Sequence, residues 1–297
     1  MPAANKPSLV TLEDFFRFAV RRFREARLAY GHGTTNATDE AAFLILEALR
    51  LPIHHIDPWL DYKPTPAERA RLATLIDARI GLRVPAPYLV GAAYMQGVRF
   101  QIDKRALIPR SFIGDMLAGG TLPAVKPRRI LDLCTGSGCL AILAALAFPR
   151  ATIDAVDLSA GALALARRNV ATHRLGDRIT IHRGNLFKPV QGRHYDLIIS
   201  NPPYVDAGGM AKLPREFRHE PRLALAAGDD GLDLVRRILT DAPRHLTRNG
   251  GLVCEIGRGA APLEAAYPGL PFLWLDTELS EREVFWITRT ELAGKVS

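Results

Sequence analysis

Apolar residues recur at helical spacing along the first part of the chain. Phe15, Phe16, Phe18, Ala19, Phe23 and Leu28 follow a 3.6-residue repeat, and Thr11 with Asp14 three residues on is a capping signal ahead of them. Gly31-His32-Gly33 ends that helix. A second helix is predicted from about Thr38, as N-cap, through Ala42, Ile45, Leu46 and Leu49. A third starts at Thr65-Pro66 and runs to about Ile80, with proline in the first turn, where its missing N–H does no harm. From Tyr94 the pattern changes. Val98, Phe100 and Ile102 alternate, Asp103-Lys104-Arg105 makes a turn, and Leu107-Ile108-Pro109-Arg110 returns, which predicts a β-hairpin. Gly119-Gly120 through Pro127 reads as a loop.

Beyond Arg129 the period alternates between strand and helix. Strands are predicted near 129–134, 152–157, 178–182, 195–200, 250–256, 271–276 and 284–289, and helices near 138–147, 159–172 and 230–246. This alternation predicts an α/β fold, a doubly wound sheet of seven strands, mainly parallel, with helices on both faces. The chain divides accordingly into a helical domain over 1–90, a hairpin and linker over 91–120, and an α/β domain over 121–297.

A length of 297 residues suits this division, and 48% hydrophobic with 24% charged residues is ordinary for a globular protein. The longest apolar run, Cys139 to Pro149, is too short to cross a bilayer, and Met1 to Pro7 has no apolar core of a secretory signal. Cys134, Cys139 and Cys254 lack the paired spacing of a zinc site or a disulfide framework, so a reducing cytoplasm is the expected setting. His54 and His55 lie in a connector with no completing ligand nearby and read as structural; no metal is expected. The net charge of +8 raises the odds of a partner containing nucleic acid, but the arginine pairs are scattered over separate elements, and no sequence-specific nucleic-acid binding is expected.

The most informative segment is Asn201-Pro202-Pro203-Tyr204, placed directly after the apolar run Asp196-Leu197-Ile198-Ile199-Ser200. Two prolines stop the strand and stiffen its end. The segment offers an amide, the free proline carbonyls and an aromatic face. That set suits a planar nitrogen group with N–H donors, such as an amide or an exocyclic amine.

Upstream, Ile130-Leu131-Asp132-Leu133-Cys134-Thr135-Gly136-Ser137-Gly138 is a buried strand, a carboxylate and a tight glycine turn opening a helix. The glycines permit close approach of backbone to a ligand, and Gly136-x-Gly138-x-x-Ala141 alone would also pass as a dinucleotide fingerprint. Asp132, however, would repel a pyrophosphate and favour a cationic ligand end, which fits S-adenosylmethionine, with its sulfonium and ammonium and no phosphate. The next strand ends in Asp157, followed by Leu158, positioned for ribose hydroxyls. Asn185 and Leu186, after the third strand, are candidates to receive an adenine amino group and to pack on its ring.

With these residues in place, the chain resembles the class I S-adenosylmethionine methyltransferases, and within them the bacterial protein-glutamine methyltransferases. That resemblance covers nearly the whole chain and implies transfer of a methyl group to the side-chain amide nitrogen of a glutamine. It also implies that Asn201, Pro202, Pro203 and Tyr204 hold that amide. Cofactor contacts are implied for Asp132, Cys134, Thr135, Gly136, Ser137, Gly138, Asp157, Leu158, Asn185, Leu186 and Asn201, and substrate recognition for the helical domain. Two subfamilies compete, one acting on peptide-chain release factors and the other on the third protein of the large ribosomal subunit. Ser111-Phe112-Ile113 after Leu107-Ile108-Pro109-Arg110, Cys134 within the glycine motif, and Glu216-Phe217-Arg218-His219-Glu220-Pro221 leading into Gly231-Leu232-Asp233-Leu234 resemble the ribosomal subfamily. The substrate is then a large-subunit ribosomal protein, free or within an assembling particle. An adenine-amine methyltransferase shares the clamp, but would normally carry a separate target-recognition domain.

Overall fold

The computed structural model describes residues 9–123, 126–278 and 280–293. The Met1 to Pro7 stretch, read above for a leader, lies outside them, as do Ala124 and Val125 of the Gly119 to Pro127 segment. The chain forms two compact units, Met1–Ala92 with Pro214–His219, and Ala93–Leu213 with Glu220–Ser297. Among the described residues no helix is long and apolar enough to cross a membrane.

In the first unit, α1 (Leu12–Glu25) starts at the expected capping box. Thr11 accepts from the Asp14 amide and Asp14 accepts from the Thr11 amide. Its buried residues Leu12, Phe15, Ala19 and Phe23 lie on one face. This helix ends before Leu28, and Arg27 turns the chain with a φ of 49°. α2 (Ala37–Leu49) is capped by Asn36, not Thr38, because the Asn36 side-chain Oδ1 accepts from the Thr38 and Asp39 amides. α3 (Pro66–Gly81) begins at a second capping box, Thr65 with Glu68, and the short α4 (Ala86–Val90) closes on Gly91. Their apolar faces meet in one core containing Phe15, Phe23, Leu44, Ile45, Leu72 and Ile76. Arg79 is wholly buried in it, 2.7 Å from the buried Glu40, and burial raises the Glu40 carboxyl above its ordinary range against the pull of Arg79. The Pro214–His219 segment adds Glu216, which accepts from the Ala29 amide at 3.1 Å and from Arg83 at 3.1 Å.

The second unit opens with a hairpin, β1 (Ala92–Met95) and β2 (Val98–Gln101). It precedes the pairing expected from the sequence. Gln96 and Gly97 both have positive φ, 52° and 73°, and make a two-residue turn whose twist suits a hairpin. The 107–110 segment pairs with no strand, and Pro109 has no N–H to give a ladder. It leads instead into α5 (Phe112–Gly119), capped by Ser111. Gly114 lets this helix pack closely, since a Cβ there would sit 3.3 Å from both Leu143 and Met95 side-chain atoms.

The large sheet alternates as predicted: β3 (Arg129–Leu133), α6 (Cys139–Ala147), β4 (Thr152–Asp157), α7 (Ala160–Thr172), β5 (Ile179–Arg183) and β6 (Tyr195–Ser200). Then come α8 (Ala207–Lys212), α9 (Asp233–Asp241), β7 (Leu246–Glu255), α10 (Ala260–Ala266), β8 (Leu273–Trp274), β9 (Val284–Thr288) and α11 (Arg289–Leu292). Strand order is β5-β4-β3-β6-β7-β9-β8, parallel from β5 to β7, with β9 antiparallel to both its neighbours. Alternate residues feed two cores. Ile130, Ile153, Leu197 and Ile199 face one side, and Leu131, Leu133, Ile198 and Leu252 face the other.

The order reverses at β3, where the chain runs outward through β4 and β5 and then returns to β6 on the opposite side. Ligands of such sheets bind outside the carboxyl ends of the strands at that reversal. Leu133 is in register with Ser200, so the glycine turn after β3 and the clamp after β6 leave the sheet side by side.

Candidate active site

A cavity of about 400 Å³ lies at the carboxyl ends of β3 to β6, within the range of small-molecule sites. Cys134 and Gly136 contribute after β3, Asp157 and Leu158 at and after the end of β4, Asn185 and Leu186 after β5, and Asn201 and Pro203 after β6. These eight are sequence-predicted residues gathered on one wall from four separate connections.

The turn after β3 is tight. Cys134, Gly136 and Gly138 all have positive φ (60°, 56° and 84°). Gly138 also permits close packing, for a Cβ there would lie 3.3 Å from the Ala166 Cα of α7. Asp157 fastens the turn from the neighbouring strand. Its Oδ2 accepts from the Gly136 amide at 2.9 Å, and its Oδ1 accepts from the Ser159 amide at 2.8 Å. Burial raises its carboxyl above the ordinary range, and these amides pull it back.

Asp132, Thr135, Ser137 and Gly138 are not on the cavity wall. Asp132 has no exposed surface, and the Thr135 hydroxyl donates to its Oδ2 at 2.5 Å. Burial pushes the Asp132 carboxyl up to about 7. Its place is beneath the turn, where it braces Thr135. Ser137 is held by its carbonyl, which accepts from Asn169 Nδ2 at 2.9 Å. Asn185 is on the wall, but its Oδ1 already accepts from Arg237 at 2.9 Å.

At the clamp, Asn201 Nδ2 donates to the Arg110 carbonyl at 3.3 Å. A carbonyl can only accept, so this bond fixes which end of the amide is which and leaves Oδ1 as its acceptor. Pro203 lines the cavity, whereas Pro202 is buried and neither it nor Tyr204 is on that wall. The Tyr204 ring lies against Gly257, where a Cβ would come within 2.7 Å of it, and its hydroxyl donates to Glu255 at 3.4 Å. Burial, aided by the Glu255 charge, raises that phenol well above its usual value. Glu255 is itself buried at the end of β7 and pushed up to about 7 by that burial, although Ser111 and the Phe112 amide donate to it.

The opposite wall was not foreseen. Pro221, Leu223, Ala224, Ala226 and Ala227 form it, and Arg105, Leu107, Asp233 and Arg237 also line the cavity. A bridge between Val205 and Ala226 ties this wall to the clamp, with Val205 N donating to Leu225 O at 2.8 Å and Ala227 N to Val205 O at 3.0 Å. The positive φ of Gly228 and Gly231 (81° and 80°) turns the chain onward into α9. Only these glycines carried a local signal in the sequence; the alanines that make the surface carry none. Among the described residues no group of three or more His, Cys, Asp and Glu is placed to hold a metal ion.

Residues 114–228 match the family described as methyltransferase small domain. The chain is 55% identical over 294 residues to a protein of Bradyrhizobium diazoefficiens, covering 96% of this chain and 92% of that one. It is 51% identical over 292 residues to one of Bordetella pertussis, covering 97% and 98%, and 49% identical over 293 residues to one of Burkholderia pseudomallei, covering 95% of each. All three relatives are named ribosomal protein uL3 glutamine methyltransferase.

Proposed function

We propose, for a chain that belongs to the ribosomal protein uL3 glutamine methyltransferase family, that the cavity takes S-adenosylmethionine and that the clamp presents a glutamine amide of uL3 to it. The relatives carry the ribosomal-protein name, which favours this substrate over the release-factor and adenine alternatives. The cavity suits the cofactor. It has the capacity for it and a carboxylate at Asp157 beside the glycine turn; of the cations that line it, Arg105 is ion-paired with Asp103 and Arg237 donates to the Asn185 amide. When bound, the cofactor supplies an electrophilic methyl group on a sulfonium. Asp157 has lone pairs left for ribose hydroxyls once Gly136 and Ser159 are satisfied. Cys134, Gly136, Leu158, Asn185 and Leu186 shape the rest of the wall.

An amide nitrogen is a weak nucleophile because its lone pair is delocalised into the carbonyl. Asn201 Oδ1 accepts one of its N–H groups and the Pro202 carbonyl the other. This would aim the nitrogen at the methyl carbon and offset the positive charge that develops as the N–C bond forms and the S–CH3 bond breaks, a charge removed when the nitrogen releases one N–H proton to water. Pro203 walls the approach, and Tyr204, seated on Gly257 and Glu255, holds the end of the clamp. The helical unit is the candidate grip for the rest of the protein substrate.

The observation that carries this reading is the Asn201 bond to the Arg110 carbonyl, which leaves an acceptor oxygen on a residue of the cavity wall. Asn201→Ala should lower turnover on the order of 100-fold, as removal of one preorganised polar group does elsewhere, with little change in cofactor affinity. Labelled cofactor offered with uL3, a release factor and duplex DNA, followed by mass spectrometry, should place the methyl on a uL3 glutamine. Near-normal turnover by the variant, or label elsewhere, would overturn the reading.

A further inference from the structure

Asn201 can orient a substrate only if its own amide is held still, and its holder is a main-chain carbonyl, that of Arg110. Two buried carboxylates grip the residues on either side of that carbonyl. On one side Glu220, whose side chain has no exposed surface, takes the Arg110 guanidinium in a fork, with Nη1 to Oε1 and Nη2 to Oε2 both at 2.7 Å. The same Oε1 accepts from the Ile108 amide at 3.1 Å. On the other side Glu255 accepts from the Ser111 hydroxyl at 2.6 Å and from the Phe112 amide at 3.0 Å. Ser111 in turn caps α5 by accepting from the Ile113 amide. The Arg110–Ser111 peptide is therefore fastened at both flanks to the catalytic sheet and its loops, with its oxygen aimed at Asn201 Nδ2.

Neither carboxylate lines the cavity. A buried ion pair is a poor source of stability, because its desolvation offsets much of its attraction and a packed apolar pair would often serve the fold as well. A two-bond fork does supply fixed direction. From this geometry we infer that Glu220 and Glu255 are positioning residues for methyl transfer. Acting through the Arg110 carbonyl, they lock the rotamer and the amide sense of Asn201. Glu255 also receives the Tyr204 hydroxyl, so one carboxylate steadies both ends of the clamp. The inference rests on the substrate-holding role given to Asn201 above.

A double-mutant cycle with Asn201 separates positioning from mere structure. Glu220→Gln keeps the side-chain volume and removes the charge. In the wild-type background it should lower kcat on the order of tenfold, leave the dissociation constant of S-adenosylhomocysteine within about twofold, and leave the KM for uL3 nearly unchanged. In the Asn201→Ala background, measured by single-turnover transfer of labelled methyl, it should cause no further loss. Ser111→Ala, which loosens the Glu255 flank, should follow the same pattern. If Glu220→Gln does not fold, Arg110→Lys supplies the same cycle, since it keeps the charge and the carbonyl but cannot form the fork. Wild-type kcat in these variants, or an equal loss in both backgrounds, would overturn the inference. Full turnover by Asn201→Ala alone would instead overturn the role given to Asn201, a distinct and separately visible failure.

Discussion

Removing the carboxylate of Asp157 tests the cofactor wall most directly. The side chain has two oxygens and about four acceptor positions. One is taken by the Gly136 amide at 2.9 Å and one by the Ser159 amide at 2.8 Å, on different oxygens. The residue also helps to line the cavity. Asp157→Ala would remove the charge-assisted bonds proposed to the cofactor and also free the glycine turn from its strand. The loss should be about 1–3 kcal/mol of binding, roughly 5- to 150-fold in the dissociation constant. Asp157→Asn should not rescue it. An amide has one oxygen, so its NH2 must face one of the two backbone N–H groups, donor against donor, at under 3 Å. Calorimetry with S-adenosylhomocysteine on wild type and both variants, with thermal melting as the control for folding, measures the effect. Affinities within twofold of wild type for both variants would remove Asp157 from the site. A normal Asn variant beside a weakened Ala variant would refute the two-amide geometry.

Two further predictions concern buried features. The folded Asp132 carboxyl, pushed up to about 7 from 3.8, holds a proton that the unfolded chain has already released. Its contribution to stability is complete below about pH 4 and is lost as the pH rises through 7, at up to about 1.4 kcal/mol per pH unit. Asp132→Asn should therefore lose less melting temperature than wild type between pH 5 and 8; equal losses would show that Asp132 does not set the slope. Gly231→Ala should depress turnover and stability together, by about 1–3 kcal/mol for the latter, because its Cβ would stand 2.5 Å from the Tyr204 carbonyl and its φ is 80°. A variant with wild-type melting and kcat would contradict that close approach.

The parallel sheet was legible because strands buried on both faces read as short continuous apolar runs, as in Tyr195–Ser200, and because glycines and aspartates punctuate their ends. The wall at the strand ends was legible for the same reason: Asp157 closes β4, Asn185 lies two residues past β5 and Asn201 directly follows β6. Other features depend on contacts distant in sequence. Helix α5 has glycine at its third position, and its start relies on Glu255, well over a hundred residues away. The hairpin hung on a Gln-Gly turn, weaker as a signal than the Asp-Lys-Arg segment chosen from the sequence. The opposite wall is placed by the Val205–Ala226 bridge, which no periodicity announces. Asp132 was expected from its charge, just before the glycine turn, to favour a cationic ligand end; that it has no exposed surface depends on packing that the sequence does not show.

The helical unit is discontinuous in the chain. Its wholly buried Arg79 lies 3.7 Å from Glu216, and the neighbouring Arg83 and the Ala29 amide bond the same carboxylate, yet Glu216 belongs to the distant Pro214–His219 stretch. A fragment ending at Ala92 would keep the Arg79 bonds to Glu40 and the Ala29 carbonyl but lose the carboxylate that Arg83 and the Ala29 amide share. The unit is thus no portable cassette. An exchange of it between relatives, by recombination or by design, keeps the Glu216 contacts only when the downstream six-residue stretch travels with it.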